Sequence, residues 1–445
     1  MIIQLPKEVE IILDVLYNNG YEGYIVGGCV RDSIIGKIPN DWDICTSAEP
    51  KEMLHIFRHF KVIPTGLKHG TVTVVINNQH FEVTTYRIDK EYIDGRRPSE
   101  VEFTNSLRED LKRRDFTINA MAYNNNHGLI DYYGGIDDIH NKKIKCVGNA
   151  FERFNEDYLR MLRGVRFSSQ LEYELDVETF KAIKELSRNI VNISKERIRE
   201  EINRILLSQR PSKGIELLEV TGLLQHILPE LQKCVRFQQK NPHHDKDVFY
   251  HTLSVLDNTD KDLVLRLSAL LHDIAKPETF SVDEENIGHF YRHHMRGMEL
   301  AEGILKRLKY DNRTIESVKA LVKEHMIKHD MPTPRVIKRL INRVGKDNID
   351  RLFKLQAADI KGSKAPYDFS NINKAKEISD KILNEQQPLT VKDLDINGND
   401  LMILGVAQGK EIGAILNKLL DRVLDNPQLN KRHILIDEAK EILEI

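Results

Sequence analysis

The 445-residue chain has few cysteines, little net charge and no long apolar run. Its four cysteines, at positions 29, 45, 146 and 234, form no Cys-x-x-Cys pair, which favours reduced, buried thiols over a disulfide framework. The formal net charge of −2 excludes a uniformly basic nucleic-acid binder, although a local basic patch can still bind phosphates. The sequence contains neither an apolar run long enough to span a membrane nor an uncharged signal-peptide core near its start. These absences predict a cytoplasmic protein that does not enter a membrane.

Length and pattern together predict several domains of the α+β class. A chain of 445 residues exceeds one ordinary hydrophobic core, so roughly two to four domains are expected. Strand and helix patterns alternate over 1–140, and helical patterns continue from there to the end. We expect a small mixed β-sheet in the first domain, helical regions after it, and boundaries at 1–140, 141–205, 206–242, 243–370 and 371–445.

The most informative stretch begins with Gly27 and Gly28, which follow the apolar, strand-like residues 24–26. Glycines after a strand let the backbone approach a phosphate closely, because no Cβ stands in the way. Asp41 and Asp43 follow a short predicted helix and a polar turn. Residues two apart in an extended chain face the same side, so both carboxylates can project together. Such a pair beside a phosphate-binding turn suits two Mg²⁺ ions.

In this order, Gly-Gly-x-Val-Arg-Asp and Asp-x-Asp resemble the nucleotidyltransferase superfamily that includes DNA polymerase β. More narrowly, they resemble bacterial tRNA CCA-adding enzymes and the related poly(A) polymerases. The resemblance implies a polymerase-β-like head in which Asp41 and Asp43 hold two Mg²⁺ ions and Glu82 supplies a third carboxylate. Glu82 is otherwise an ordinary exposed strand residue. The resemblance also implies that the nucleotide is contacted by Gly27, Gly28, Arg31 and Asp32.

The next segments favour CCA addition over synthesis of a poly(A) tail. Residues 64–72 resemble the segment that CCA-adding enzymes carry here, and the Arg-rich stretch of the poly(A) polymerases is missing. A β-hairpin is predicted from 72–76 and 81–86, and the charged segment 86–98 is predicted to be a loop. The family uses a mobile loop at this location for the final A addition, so the resemblance implies that this chain can add A.

A second motif, residues 113–122, combines arginines with an aspartate and an asparagine. Asp115 could cap a short helix, but capping alone does not require the other two residue types. In the resemblance, Arg114, Asp115 and Asn119 serve the sugar and phosphates of the incoming nucleotide.

Residues 155–163 are predicted to begin a helix with Asn155 as its cap. Asp157 and Arg160 lie three apart, and such pairs are commonly surface ion pairs. The resemblance implies instead that Asp157 and Arg160 select CTP and ATP without a nucleic-acid template, and that Glu156 orients Arg160. It also implies nucleotide contacts by two residues further along, Arg163 and Arg166.

The chemistry of the two bases supports this role. Cytosine and adenine each present an amine donor beside a ring-nitrogen acceptor, which complement a carboxylate and a guanidinium. Guanine and uracil present the opposite polarity, and each mispaired group in a dry pocket costs roughly 1–3 kcal/mol. One aspartate and one arginine can therefore admit both correct bases.

A second set of candidate ligands resembles the HD phosphohydrolase domain. An adjacent His-Asp pair ends an apolar helical run, with further histidines before and after it. The resemblance implies one divalent transition metal that activates water, and related domains either hydrolyse phosphoesters or have lost that activity. The proposed ligands are His251, His272, Asp273, His294, His325 and Asp359. The remaining nearby histidines are interpreted as bystanders: His243, His244, His289, His293 and His329.

The C-terminal region offers one further candidate, Lys410, which follows a glycine-rich stretch. Glycines and a lysine before a helix can hold an RNA phosphate, and simple turn chemistry explains them equally well. The corresponding tail of the family helps to hold tRNA.

The sequence therefore predicts template-independent addition of CCA to the 3′ end of tRNA, with tRNA, CTP and ATP as partners. A partial enzyme that adds only CC or only A, and a poly(A) polymerase, remain alternatives of the same class. From other classes, a metal-dependent HD phosphohydrolase and a non-catalytic RNA-binding protein remain open. The oligomeric state is left open as well.

Overall fold

The computed structural model describes residues 2–64, 66–89, 101–240, 246–326 and 332–444. The chain divides into two compact units, Met1–Pro229 and Glu230–Ile445. Across the described ranges, no helix is both long and apolar enough to cross a membrane.

A mixed β-sheet forms the centre of the first unit. Its strands follow the order β3-β4-β5-β2-β1-β8-β9; β2 and β5 run parallel, and the other neighbours are antiparallel. The central strand β1 is buried throughout, as expected for apolar residues covered on both faces. The strands of this unit are β1 Gly23–Val26, β2 Ile44–Thr46, β3 Lys61–Ile63, β4 Thr71–Ile76, β5 Gln79–Thr85, β6 Arg87–Asp89, β7 Val101–Phe103, β8 Met121–Asn124, β9 Gly128–Asp131, β10 Lys143–Ile144 and β11 Glu174–Leu175.

The predicted hairpin is confirmed, and the predicted loop after it is partly wrong. Strands β4 and β5 are joined through Asn77 and Asn78, which both adopt positive φ, as two-residue hairpin turns require. Residues 87–89, predicted as loop, form β6 and pair with β7. The paired residues lie 12 to 16 positions further along, beyond the polar segment, so the composition of that segment does not reveal the pairing. The rest of the predicted loop, 90–98, lies outside the described residues.

Helices cover the sheet and fill the rest of the first unit. The helix predicted after the two glycines is confirmed as α2, whereas Asn155 lies inside α6, whose cap is Asn149. Helix α6 ends at Glu156, Asp157 is extended, and the next helix begins only at Leu159, so no helix starts at Asn155. The helices are α1 Lys7–Asn18, α2 Gly28–Ile34, α3 Pro50–Ile56, α4 Leu107–Lys112, α5 Gly135–His140, α6 Ala150–Glu156, α7 Leu159–Leu171, α8 Val177–Leu186, α9 Lys195–Leu206, α10 Pro211–Val220, α11 Leu224–Ile227 and, at the boundary, α12 Pro229–Gln232.

The described part of the second unit is helical apart from a short antiparallel hairpin, β12 Phe280–Val282 and β13 Gly288–Phe290. Helix α14 is apolar along most of its length and is buried among its neighbours. The predicted α+β class, with the sheet in the first part of the chain, is confirmed. The helices of this unit are α13 Val248–Asp257, α14 Leu263–Leu271, α15 His293–Arg307, α16 Asn312–Glu324, α17 Pro334–Val344, α18 Ile349–Gly362, α19 Ser370–Asn384, α20 Gly398–Ile403, α21 Lys410–Asp425 and α22 Arg432–Leu443.

Candidate active site

A cleft of about 450 Å³ in the first unit gathers most of the predicted nucleotide-binding residues. Among the described residues that line it are eight arginines and only three aspartates. Concentrated positive charge of this kind attracts polyanions even when the whole chain is nearly neutral. The lining is Gly27, Gly28, Arg31, Asp43, Arg113, Arg114, Asp115, Asn119, Asp157, Leu159, Arg160, Arg163, Arg166, Phe167, Arg197 and Arg204.

The two glycines bring backbone close to these arginines. Gly27 has φ 82° and ψ −126° and stands as the cap before α2, a conformation that residues with a Cβ rarely adopt. A Cβ at Gly27 would lie 2.9 Å from Nη1 of Arg114, and a Cβ at Gly28 would lie 3.7 Å from Nη2 of Arg31. The glycines therefore keep one wall of the cleft open beside two guanidinium groups.

Asp41 and Asp43 lie in the extended segment directly before β2 and not in the strand itself. The carbonyl of Asp43 nevertheless accepts a hydrogen bond from Val26 N at 3.0 Å, so this segment already follows the sheet. In the parallel pair, Ile44 faces Val83. The preceding residues, Asp43 and Glu82, are therefore adjacent in register, and both are exposed. This placement is compatible with a third carboxylate beside the Asp-x-Asp pair.

The electrostatics of Asp43 suit a cation. Desolvation in the cleft raises the pKa of its carboxyl group although the residue still touches solvent, and the charge of Asp41 raises the pKa further. The Arg114 guanidinium opposes both effects. A divalent ion would relieve the repulsion between the two carboxylates, so the residues present fit the predicted Mg²⁺ site.

A continuous polar chain connects the glycine-rich segment to α7. Arg31 donates to Asp32 Oδ1 at 2.8 and 2.9 Å and to Asn119 Oδ1 at 2.7 Å. Asn119 in turn donates to Asp115 Oδ1 at 3.2 Å, and Arg163 donates to Asp115 Oδ2 at 2.7 Å. Five residues that the sequence assigned to the nucleotide thus hold one another in place.

Asp115 links Asn119 to Arg163 in this series of hydrogen bonds and does not cap a helix. The short 3-10 helix that follows is capped by Phe116, whose N–H donates to Asp115 Oδ1 at 2.8 Å. Burial alone would raise the pKa of Asp115, but the charge and hydrogen bonds of Arg163, with Asn119, hold it well below its ordinary value. Asp115 is therefore ionised at neutral pH and keeps Arg163 pointing into the cleft.

Asp157 and Arg160 each have a separate partner that fixes its position. Helix α6 ends at Glu156, so Asp157 lies in an extended break, accepts from Leu159 N and pairs with Arg197 at 2.8 Å. Arg160 pairs with Glu156, as predicted. Its guanidinium also donates to two backbone carbonyls, those of Arg153 at 3.0 Å and Arg113 at 3.1 Å.

Sequence reasoning missed several residues of the cleft, above all Phe167 and Arg197. The guanidinium of Arg166 lies 4.0 Å from the centre of the Phe167 ring and pairs with buried Glu201 at 2.7 Å. Burial lowers the pKa of Arg166 to about 10, which still leaves it charged at neutral pH. The sequence does contain a pattern that could have identified them. On α9, one helix face carries Arg197, Glu201 and Arg204 at i, i+4 and i+7.

A second cluster of ionisable side chains, which we call the His–Asp cluster, is buried in the second unit. Its Asp273 approaches four histidines and is also bound by Lys276 at 2.7 Å. The cluster lies at the ends of α14 and α16, at the start of α15 and within α13 and α18. Its members are His251, His272, Asp273, His293, His325 and Asp359.

The predicted ligand His294 is replaced in this cluster by His293. Helix α15 begins at His293, and neighbouring residues of a helix point about 100° apart, so only one of the two can face the cluster. His293 is buried with its Nε2 3.4 Å from Asp273, whereas His294 is half-buried beside it. Interpreting His293 as a bystander was therefore wrong. His289 is paired with Asp283 at the surface, and His243, His244 and His329 lie outside the described residues.

The orientation of the cluster histidines fits metal binding. Nδ1 of each of three histidines meets a backbone carbonyl three residues earlier, at 2.7 to 2.9 Å, which leaves Nε2 for a ligand. Nε2 of His272 is buried and lies 3.1 Å from Oδ2 of Asp273, so it faces the carboxylate of the cluster. Burial lowers the pKa of His325 to about 3, so this ring is neutral, as ligation requires. The three histidines are His272, His293 and His325.

A cavity of about 540 Å³ adjoins one side of the His–Asp cluster. Its walls combine the cluster residues Asp273, His293, His325 and Asp359 with Lys276, Lys364, Phe290 and Tyr367, among others.

Lys410 is the exposed first residue of α21, and its predicted phosphate contact stays a prediction.

The cleft and the sheet that carries it define a nucleotidyltransferase. The family model "Poly A polymerase head domain" matches residues 23–145, "Probable RNA and SrmB- binding site of polymerase A" matches 172–234, and "HD domain" matches 217–360. The CCA-adding enzymes of Ligilactobacillus salivarius and Levilactobacillus brevis are each 34% identical to this chain. The alignments cover 97% of this chain and 96% and 98% of those enzymes. This chain belongs to the CCA-adding enzyme family.

Solved structures agree with this assignment. The Bacillus stearothermophilus CCA-adding enzyme in complex with CTP has a TM-score of 0.76 and 27% identity, with 99% of this chain and 98% of that chain covered. The Thermotoga maritima CCA-adding enzyme complexed with tRNA shares the fold, with a TM-score of 0.59 at 19% identity and coverage of 99% and 96%. Together with the family models, they confirm the resemblance to a CCA-adding enzyme with an HD-type domain.

Proposed function

We propose that this protein adds CMP, CMP and AMP in turn to the 3′ end of tRNA, using CTP and ATP. The observation that carries the proposal is the cleft in which Asp43, the Gly27–Gly28 turn and eight arginines converge. Its positive charge suits a triphosphate, and its carboxylates suit the cations that accompany a triphosphate. The cytoplasm, where tRNA is processed, is the proposed location.

Asp41 and Asp43, with Glu82 beside them in register, are the proposed ligands of two Mg²⁺ ions. When bound, these ions activate the tRNA 3′-hydroxyl and neutralise charge on the leaving pyrophosphate. The chain's own contribution is to hold Asp43 in the sheet through its carbonyl, at 3.0 Å from Val26 N. The backbone that carries the carboxylate is therefore fixed before any substrate arrives, and preorganisation of this kind lowers the barrier to reaction.

The linked residues Arg31, Asn119, Asp115 and Arg163 position the triphosphate and ribose in this proposal. Each has a partner within 3.2 Å, so little side-chain entropy is lost when the nucleotide binds. The family resemblance adds nucleotide contacts by Gly27, Gly28, Asp32, Arg114 and Arg166.

Asp157 and Arg160 are proposed to choose the base. Asp157 accepts from the exocyclic amine of cytosine or adenine, and Arg160 donates to the ring nitrogen. A guanidinium presents its N–H groups in one plane, and Glu156 with two backbone carbonyls fixes the orientation of that plane in Arg160. Because Arg197 and Glu156 hold the two side chains, a wrong base cannot be accommodated by simple rotation of either.

Three tRNA transcripts test this function: one ends before CCA, one after C and one after CC. Each is incubated with Mg²⁺ and CTP, ATP or both, and products are resolved to single nucleotides. Growth of all three to CCA is expected, with Asp43→Asn inactive and the exposed Asp137→Asn unaffected. Products that stop at CC, addition only to the CC-ended transcript, or long A tails would each assign one of the alternative activities.

For the regions outside the cleft, we propose a head at 1–140, a neck at 141–205, a connection at 206–242, an HD-like region at 243–370 and a tail at 371–445. Basic residues of the neck and tail, among them Lys410, hold the tRNA backbone in this scheme. Binding that depends on phosphate contacts weakens steeply with salt, so tRNA affinity measured from 50 to 200 mM salt should fall by orders of magnitude.

A second candidate activity resides in the His–Asp cluster. Its buried histidines with fixed Nδ1 atoms favour a divalent transition metal, which when bound supplies an activated water for phosphoester hydrolysis. Ring opening of a 2′,3′-cyclic phosphate to its monoester, or release of inorganic phosphate from a terminal monoester, by the Asp43→Asn protein, which is expected to lack transferase activity, would isolate it. Neither reaction with any added divalent metal would exclude it.

A further inference from the structure

Three arginines of the cleft share one aromatic ring. The guanidinium carbons of Arg31, Arg163 and Arg166 lie 5.2, 5.5 and 4.0 Å from the centre of the Phe167 ring. All three distances fall within about 6 Å, the range over which the quadrupole of a ring attracts a cation. Arg163 and Phe167 are i, i+4 neighbours on α7, whereas Arg31 comes from α2. The ring therefore joins arginines from two helices that are far apart in the sequence.

The ring is enclosed and supported from behind. Phe167 is 6% exposed, and its ring meets that of Phe116 edge to face, with the centres 5.7 Å apart. Arg31 and Arg166 are buried as well. Attraction between a cation and a ring is stronger where water is excluded, so the environment favours these contacts.

The ring supplies something that the ion pairs of the same arginines do not. Each of the three arginines also has a carboxylate partner of its own, at 2.7 to 2.8 Å. A carboxylate holds one edge of a guanidinium plane, leaves the plane free to tilt about that edge, and offsets one positive charge. The ring of Phe167 limits the tilt and carries no net charge. It can therefore keep three cations together without neutralising them.

We propose that Phe167 is a positioning residue for the triphosphate. It holds Arg31, Arg163 and Arg166 as one rigid group that receives the phosphates of the incoming nucleotide. The inference rests on the proposed function, in which these arginines contact the nucleotide. A preformed group of cations loses little side-chain entropy when a polyanion binds, so the ring contributes to affinity without touching the substrate.

The base-selecting residues are held by other groups. Asp157 is fixed by Arg197, and Arg160 by Glu156 with two backbone carbonyls. A weakened ring should therefore lower the affinity for CTP and ATP by the same factor and leave the choice of base unchanged.

The test alters the charge distribution of the ring and little else. Full-length protein is prepared with mono-, di- or trifluorophenylalanine in place of Phe167, because each fluorine weakens the negative face of the ring while its shape is nearly kept. KM is measured for CTP and for ATP, on transcripts that end before CCA and after CC. The Kd of inorganic tripolyphosphate, in the presence of Mg²⁺, is measured by calorimetry as a readout that does not depend on activity.

All three constants should rise with each added fluorine, by about tenfold for the trifluoro ring. The ratio of kcat/KM for CTP over UTP should stay constant across the series. The matched control is the same series in place of Phe154, which is fully buried in α6 and does not line the cleft. These control proteins should bind tripolyphosphate as the parent does.

The outcomes separate this inference from the proposed function. Constants that stay level across the Phe167 series, or that rise equally in the Phe154 series, would overturn the positioning role and leave Phe167 as a packing residue. A rise for CTP alone would also overturn it, since the ring would then act on the base. Failure of the parent protein to add CMP or AMP would overturn the proposed function instead, and its binding of tripolyphosphate would still decide the role of the ring.

Discussion

Replacing Arg197 by methionine should loosen base selection while leaving tRNA binding intact. Arg197 touches Asp157 through two guanidinium nitrogens, at 2.8 and 3.4 Å. It thereby fixes the carboxylate that is proposed to accept from the base amine. Methionine keeps much of the aliphatic length of arginine but removes the charge and the hydrogen bonds.

The size of the effect follows from the burial of the pair. Hydrogen bonds to charged groups contribute about 1.5–3 kcal/mol, and the side chains of Arg197 and Asp157 are 28% and 16% exposed, which favours the lower end. If Asp157 loses about 1.4 kcal/mol of its preference for the correct edge, discrimination falls about tenfold. The ratio of kcat/KM for CTP over UTP should therefore drop about tenfold.

Single-turnover addition to a transcript that lacks CCA measures this ratio. The matched control is Arg188→Met, because Arg188 is exposed and does not line the cleft. In an Asp157→Asn background, Arg197→Met should add little, since both changes remove the same interaction. Equal losses with CTP and UTP, or full additivity of the two substitutions, would refute the positioning role.

Three further predictions follow from other contacts. Gly27→Ala should lower kcat/KM for both nucleotides at least tenfold, because a φ of 82° is strained for alanine and the new Cβ would displace Arg114. The control is Gly20→Ala, because Gly20 has the same φ but open space around it. Arg166→Met should destabilise by about 3 kcal/mol in urea unfolding, since it leaves buried Glu201 unpaired, and Arg166→Met/Glu201→Met should recover much of this loss. Asp115→Asn should lower the free energy of unfolding by a constant amount above about pH 4, and the difference from the parent should shrink as pH falls through the lowered pKa of Asp115.

The reasoning behind the pH prediction depends on sign. The folded-state pKa of Asp115 lies below its unfolded value, so the unfolded chain binds the proton more readily. The stabilisation is therefore complete above the unfolded pKa and is lost only in acid. A difference that grew as pH fell would contradict the ionised pair with Arg163.

The parts of the fold that local patterns encode could be predicted from the sequence. The glycine turn, helix α2 and the β4–β5 hairpin all depend on neighbours within a few residues. Strand β6 could not be predicted, because it exists only through pairing with β7. Helix α6 shows a similar limit: the sequence predicts a helix that begins at Asn155, whereas the structure breaks the helix at Asp157, where the carboxylate pairs with Arg197 of α9.

The same limit applies to the candidate site: the sequence identifies the residues, but only the structure shows which side chains they contact. The motif identified Asp157 and Arg160, but their apparent i, i+3 relation disappears because the helix breaks at Asp157. Their actual partners are Arg197, 40 residues away, and Glu156. In the second unit, the His293–His294 pair could not be resolved from sequence, since one helical step decides which ring is buried.

Under the base-reading roles proposed for Asp157 and Arg160, these partners explain how a template made of protein can be selective. A single carboxylate on a flexible chain could rotate to meet either polarity of base, and its preference would be averaged away. Arg197 from α9 removes that freedom from Asp157, and Glu156 with two backbone carbonyls removes it from Arg160. Selectivity then depends less on the two base-reading residues than on the rigidity of the groups behind them. Substitutions behind Asp157 should therefore alter the choice of base, whereas substitutions along the arginine-lined phosphate region should weaken all nucleotides alike.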